Sequence, residues 1–137
     1  MNTANQTYPD TLSPPQQSAG RVTHHFPDGT LTVECAERGW HCRRAASCLL
    51  VPAVGDAVLL VTVEQGAWVL AILERRSPQQ IAELSTGSHL RIVSQGELSL
   101  SSKNLRITAE EADCHIHALK YSGESLSAWV NLTSLVG

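Results

Sequence analysis

SCLLVPAVGDAVLLVTVEQGAWVLAILER, residues 47–75, is the stretch on which the fold turns. It reads as strand, tight turn, strand, tight turn, strand. The run that opens at Ser47 ends at Val51-Pro52. Gly55-Asp56 makes the next turn, and Ala57 to Val63 is almost wholly apolar and largely β-branched. Gln65-Gly66 turns the chain again, and Ala67 to Leu73 returns. Glycine tolerates the backbone angles of tight turns, and Val, Ile and Trp suit a pleated, buried surface.

Upstream, Arg21 to His25 reads as a first strand and Pro27-Asp28-Gly29 as a turn. Thr30 to Cys35 alternates, with Leu31, Val33 and Cys35 on one face. Glu37-Arg38-Gly39 reads as the turn after it, and Trp40 to Leu50 as the strand that pairs back. Short antiparallel strands at hairpin spacing close into a barrel or partial barrel, which hides their edges. The expected class is therefore all-β, with a small antiparallel barrel of oligonucleotide/oligosaccharide-binding (OB) type over 21–76. The polar residues 1–20 read as a disordered N-terminal arm, because they bury too little apolar surface to offset ordering entropy.

A second pattern follows a polar connector at Glu74–Glu83, in which Ser77-Pro78 could cap one helical turn. Leu90-Arg91-Ile92, Leu98-Ser99-Leu100, Leu105-Arg106-Ile107 and Cys114-His115-Ile116 each read apolar, polar, apolar, and Ser94–Glu97 and Ser101–Asn104 are turn-like. Strands this short leave an apolar stripe and open edges in a single copy. Repeats remove both by stacking. Residues 77–119 are thus expected to form a spike-like β-segment, either an intertwined trimeric β-helix or β-prism, or a meander folded on the barrel. Residues 120–137 are expected to carry a short C-terminal helix, N-capped by Ser125 and bearing Leu126, Trp129 and Val130.

Composition narrows the function classes. Lys plus Arg is 10 against 13 Asp plus Glu, a net charge of −3, which disfavours nonspecific nucleic-acid binding. No apolar run approaches the roughly 20 residues that span a bilayer, and no secretory signal opens the chain, so a cytoplasmic protein is expected. Cys35, Cys42 and Cys48 lie close together beside His41, but the paired C-x2-C knuckle of structural zinc is missing. The four cysteines, Cys114 included, read as free thiols. Ser47-Cys48 lacks a nucleophile elbow. Nothing pairs Asp56, Glu64, Glu74 and Glu83 as acid and base, and Glu110–Asp113 lacks the spacing of a calcium loop. No catalytic residue, cofactor or metal ligand is assigned. His115 and His117 share one strand face and would meet on a threefold axis if that face turned inward. Continuing the apolar stripe through Cys114 and Ile116 turns them outward instead.

Residues 43–75 resemble a bacterial family known only as domain of unknown function 3540. The matching text is Arg43-Arg44-Ala45-Ala46-Ser47-Cys48-Leu49-Leu50, Pro52, Gly55-Asp56, Val58-Leu59 and Val69–Arg75. The resemblance runs on through the repeat to about residue 117, but this chain stops at Gly137, where relatives continue to a further β-segment. It implies a non-enzymatic component of a type VI secretion cluster, encoded near PAAR-like tip proteins. The barrel-then-repeat order is also similar to trimeric spike proteins of contractile machines. Expected partners are two further copies of the chain and a tip protein or effector, with no nucleic acid and no membrane. Rival expectations are a cytoplasmic chaperone for effector loading and an OB-type ligand-binding module.

Overall fold

A computed structural model describes residues 14–129. Five strands follow in chain order: β1 (Gln16–His25), β2 (Leu31–Cys35), β3 (Arg38–Arg44), β4 (Ala57–Val63) and β5 (Gly66–Glu74). They close into a barrel in the order β1-β2-β3-β5-β4. Every neighbouring pair is antiparallel except β3–β5. The described residues are all-β, without a helix. The chain divides into two units, Met1–Val93 and Ser94–Gly137.

Closure depends on β1. Its first half pairs with β4 from Gln16↔Thr62 to Arg21↔Ala57, and its second half pairs with β2 from Arg21↔Glu34 to His25↔Leu31. The strand changes partner at Arg21, and at the preceding Gly20 an added Cβ would lie 2.6 Å from Val33 Cγ1 and 2.8 Å from the Glu34 carbonyl oxygen. Only glycine lets the backbones approach so closely at this corner. Gln16–Gly20 thus belong to a strand and not to the expected arm. Backbone pairing with β4 holds these polar residues, and apolar periodicity cannot reveal that.

The core is aliphatic. Val22, Leu31, Val33, Cys42, Val58, Leu60, Ala67 and Val69 point inward and are almost fully buried, with Trp40, Cys35 and Ile72 packed against them. Cys48 adds to it from the loop after β3.

The β2–β3 hairpin turns on Ala36 and Glu37, with φ of 53° and 64°. This is a two-residue loop between the paired Cys35 and Arg38. The expected Glu37-Arg38-Gly39 turn is therefore displaced, and Gly39 sits inside β3 opposite Glu34. Burying Leu31, Val33 and Cys42 on one side fixes this register, because a one-residue slip would turn every side chain over. Two non-glycine residues in the left-handed region are the consequence.

Ser47–Val51, expected as a strand, is a loop touching only one strand-like partner. Cys48 N–H donates to the Ala45 carbonyl at 2.9 Å, and Leu49 N–H to that of Ser47 at 3.0 Å. β3 already has β2 and β5 as neighbours, so no sheet position remains for this run. Its one bridge joins Leu50 to Leu84. Val51 N–H donates to the Glu83 carbonyl and Ser85 N–H to the Leu49 carbonyl, both at 2.9 Å. Arg44 adds Nη2 to the Ser85 carbonyl at 2.8 Å and Nη1 to the Leu49 carbonyl at 3.2 Å. Leaving β5, the chain is thus strapped back onto the barrel. Ser77 forms a local turn there, its hydroxyl accepting from Gln79 N–H, without a helical turn.

Candidate interaction surfaces

From Thr86 to Trp129 the described chain has no strand and no helix. It bends at 87–88, 95–96, 103–104, 110–111, 117 and 123–124. Serine and threonine hydroxyls make several of these bends. Ser94 Oγ donates to the Glu97 carbonyl at 3.1 Å and accepts from Gly96 N–H at 3.3 Å, and Ser102 Oγ donates to the Asn104 carbonyl at 2.8 Å. Such self-satisfying turns need no tertiary support. The bends at 95–96 and 103–104 fall in the two linkers that the sequence marks as turns.

Between bends the apolar residues are bare. Leu98 is 59% exposed, Leu105 66%, Ile107 79% and Ile116 59%. Among the described residues, no backbone–backbone hydrogen bond involves a residue beyond Ser85. A single copy therefore leaves this stretch with an uncovered apolar stripe and unpaired peptide groups. The expected C-terminal helix is absent from 120–129, where the chain bends at 123–124 without regular structure and Trp129 is 98% exposed. The rest of that expectation, 130–137, lies outside the described residues.

The barrel carries an electrostatic clamp where the sequence marks only a Gly55-Asp56 turn. Asp56 is completely buried. Its carboxylate accepts from Ala53 N–H at 2.9 Å and from Arg76 N–H at 3.0 Å. Arg75 Nε lies 3.3 Å away, close enough for an ion pair but not aligned as a hydrogen bond. Beside it Gly55, at φ 96°, donates its N–H to the Val22 carbonyl at 2.8 Å, and Arg21 Nη1 donates to the Gly55 carbonyl at 2.7 Å. The clamp ties the start of β4 to β1 and to the end of β5. Its parts read in the sequence as a Gly-Asp turn and a polar connector, whose separation gives no hint of contact.

The thiols have different environments. Burial pushes the Cys42 thiol up to about 11. Burial also raises Cys48, with the Arg44 charge opposing. Cys114 is exposed, and all four are unbridged. Among the described residues no group of three or more His, Cys, Asp or Glu side chains is placed to hold a metal. The His115 and His117 rings lie 5.8 Å apart, both exposed. Asp28 is held below the usual carboxylate range by the Thr30 hydroxyl, then by the Thr30 backbone N–H, with His41 nearby.

Two tryptophans carry guanidinium groups over their rings: Arg38 at 3.9 Å from Trp40 and Arg43 at 4.6 Å from Trp68. Trp40 and Arg38 line a cavity of about 240 Å³ at the barrel mouth, with Gln16, Cys35 and Thr62. A different cavity, about 350 Å³ and mainly apolar, lies between the 47–50 loop and Leu70–Ile72.

The class defined by these features is an all-β protein with a closed five-stranded barrel, followed among the described residues by an irregular, bend-repeating segment. The chain belongs to the family described as protein of unknown function (DUF3540), whose pattern matches residues 21–137. No curated protein and no solved structure matches it. No helix among the described residues is long and apolar enough to cross a membrane.

Proposed function

We propose that the chain is a non-enzymatic, spike-like structural or adaptor component of a bacterial type VI secretion system, built as a homotrimer around its extended segment. The observation that carries this reading is the bareness of residues 86–129, where leucines and isoleucines stand open along a chain with no paired edge. Isolated extended chain with apolar side chains in water has no source of stability of its own. Three copies winding together would pair the peptide groups and cover the stripe, as a β-helix or β-prism does. The barrel fits the OB type, and the bends would form the corners of the winding segment. The secretion assignment rests on the family resemblance of Arg43–Arg75.

In this reading the trimer binds a PAAR-like tip protein, an effector, or both, and transforms nothing. It uses neither nucleic acid nor membrane, and it works in the cytoplasm or leaves with the spike. The test is co-purification of the tagged chain from a host carrying the neighbouring tip and effector genes. Recovery of a stoichiometric tip or effector protein supports the adaptor role, and recovery of the trimer alone under mild conditions rejects it. The exposed apolar stripe of one copy also suits a chaperone holding an effector. Oligomeric state bears on the two readings, because the spike needs a trimer and the chaperone allows a monomer.

A further inference from the structure

We infer that the open end of the barrel is a binding site for a small organic carboxylate, held by Arg38. The site is complete in one copy, so it stands apart from the self-assembly reading above. The two ends of the barrel are closed differently. At one end the loop between β3 and β4 lies against the strands. Cys48, Pro52 and Asp56 are buried there, and Val22 exchanges backbone hydrogen bonds with Gly55 and Asp56. Among the described residues the other end is crossed only by two-residue hairpin loops, Ala36-Glu37 and Glu64-Gln65. The cavity of about 240 Å³ opens at that end.

The inward-facing series changes character toward the opening. On β1 it runs Val22, Gly20, Ser18, Gln16, and on β4 it runs Val58, Leu60, Thr62. On β3 it runs Cys42, Trp40, Arg38. Each series starts in the buried core and ends polar. Gln16, Ser18, Arg38 and Thr62 therefore converge on one cavity, with Leu60 one inward position deeper on β4 and Trp40 in the wall. A concave surface that joins apolar contact to a few convergent polar groups is the make-up of a small-molecule site, and a barrel mouth is a usual place for one.

The ligand class follows from Arg38. Its guanidinium lies 3.9 Å from the centre of the Trp40 ring. Stacking holds a guanidinium by its face and leaves the in-plane N–H fork free for a carboxylate. Among the described residues the one ion pair joins Arg75 to Asp56, so no acid there neutralises Arg38. The Ser18 and Thr62 hydroxyls and the Gln16 amide offer further hydrogen bonds, and Leu60 and Trp40 offer contact to an aliphatic body. Glu37 precedes Arg38, and Glu64 lines an adjoining cavity with Gln16, Trp40 and Thr62. These two acids disfavour a multiply charged anion such as a nucleotide. The cavity is also smaller than the roughly 300–1,000 Å³ of drug-sized pockets, which suits a short acid. The same chemistry has two sources, a free acid or the terminal carboxylate of a polypeptide.

The test is titration of the full-length, 15N-labelled chain, read at its tryptophan indole N–H signals. The probes are 4-methylpentanoate and the peptide Gly-Gly-Leu, each beside its uncharged amide. Arg38→Gln removes the stacked cation and so marks which signal is Trp40. Expected is a saturable shift of that signal with at least one of the two acids and none with its amide. Arg38→Gln should weaken the binding about tenfold or more, with the urea midpoint of the barrel unchanged. Arg38→Lys keeps the charge and loses the fork; it should weaken binding several-fold, and it serves if Arg38→Gln does not fold. Tighter binding of 4-methylpentanoate assigns a free acid, and tighter binding of Gly-Gly-Leu assigns a chain terminus. A Trp40 signal that neither acid moves at millimolar concentration overturns the site. So does equal binding of acid and amide, or binding that both Arg38 variants retain in full. None of these results bears on the trimer.

Discussion

Arg75 Nε stands 3.3 Å from the Asp56 carboxylate, joining the end of β5 to the start of β4 with the acid fully buried and the base 22% exposed. Two backbone N–H groups, of Ala53 and Arg76, complete the cradle. The pair closes the barrel at the point where the chain departs toward the extended segment. It is a structural clamp, because the acid is sealed from solvent.

Removing the acid should therefore be severe. Asp56→Ala leaves two N–H groups and a largely buried guanidinium without an anion, and breaking a buried pair from one side costs about 3–5 kcal/mol. Urea unfolding followed by tryptophan fluorescence should show that loss. Arg75→Met should cost clearly less, because its partner keeps both backbone donors. Equal losses would mean that the ion pair, and not the carboxylate's cradle, holds the turn.

The β2–β3 hairpin offers the opposite sign. Ala36 and Glu37 both sit at positive φ, which costs roughly 1–2 kcal/mol per L-residue. Glu37→Gly should stabilise the barrel by about 0.5–1 kcal/mol, offset in part by the freer unfolded chain. A lower urea midpoint for this variant would show that the Glu37 side chain makes a contact of greater worth.

Cys42 gives a pH dependence. Its folded thiol is raised from 9.0 to about 11 by burial. A group that is harder to deprotonate when folded stabilises fully below its unfolded pKa, and that stability is lost as pH rises through the folded pKa. Unfolding free energy should thus fall between about pH 9 and 11, by roughly 2–3 kcal/mol at most from this group. Cys42→Ala should flatten that part of the profile. At pH 8 a thiol reagent should reach Cys42 only on unfolding.

Much of the barrel was legible because its signals are local. Ala57–Val63 matches β4, Thr30–Cys35 contains β2, and Ala67–Leu73 falls inside β5. Val58, Leu60 and Val69 form part of the core as alternation requires, and Ile72 packs against it because the β4–β5 pairing shifts register between Val69 and Ala71. What was not legible depends on partners far along the chain. Gln16–Gly20 are a strand only because β4 pairs with them. Ser47–Val51 looks like a strand but finds no free sheet neighbour. Asp56 and Arg75 read as a turn residue and a connector until the barrel brings them together. In the extended segment the turns were readable from Ser, Gly and Asn. The helix expected from Ser125 was not formed in 125–129, since three or four apolar spacings serve an extended stripe as well as a helical one.

Ile107 tests the stripe directly. Its side chain is 79% exposed in one copy, so Ile107→Asp should leave the barrel's unfolding midpoint nearly unchanged while abolishing assembly. A carboxylate buried between copies costs several kcal/mol for each subunit. An Ile107→Asp protein that remains fully oligomeric would place this residue on the outside of the assembly.

The most direct measurement is the native mass of the wild-type chain by light scattering across the micromolar range. The account predicts a particle three times the 14.8 kDa chain mass, stable to dilution because the exposed stripe of 86–129 is covered only by other copies. A particle that stays at 14.8 kDa up to high micromolar concentration would contradict the spike-like reading, and a symmetric dimer would contradict its threefold form.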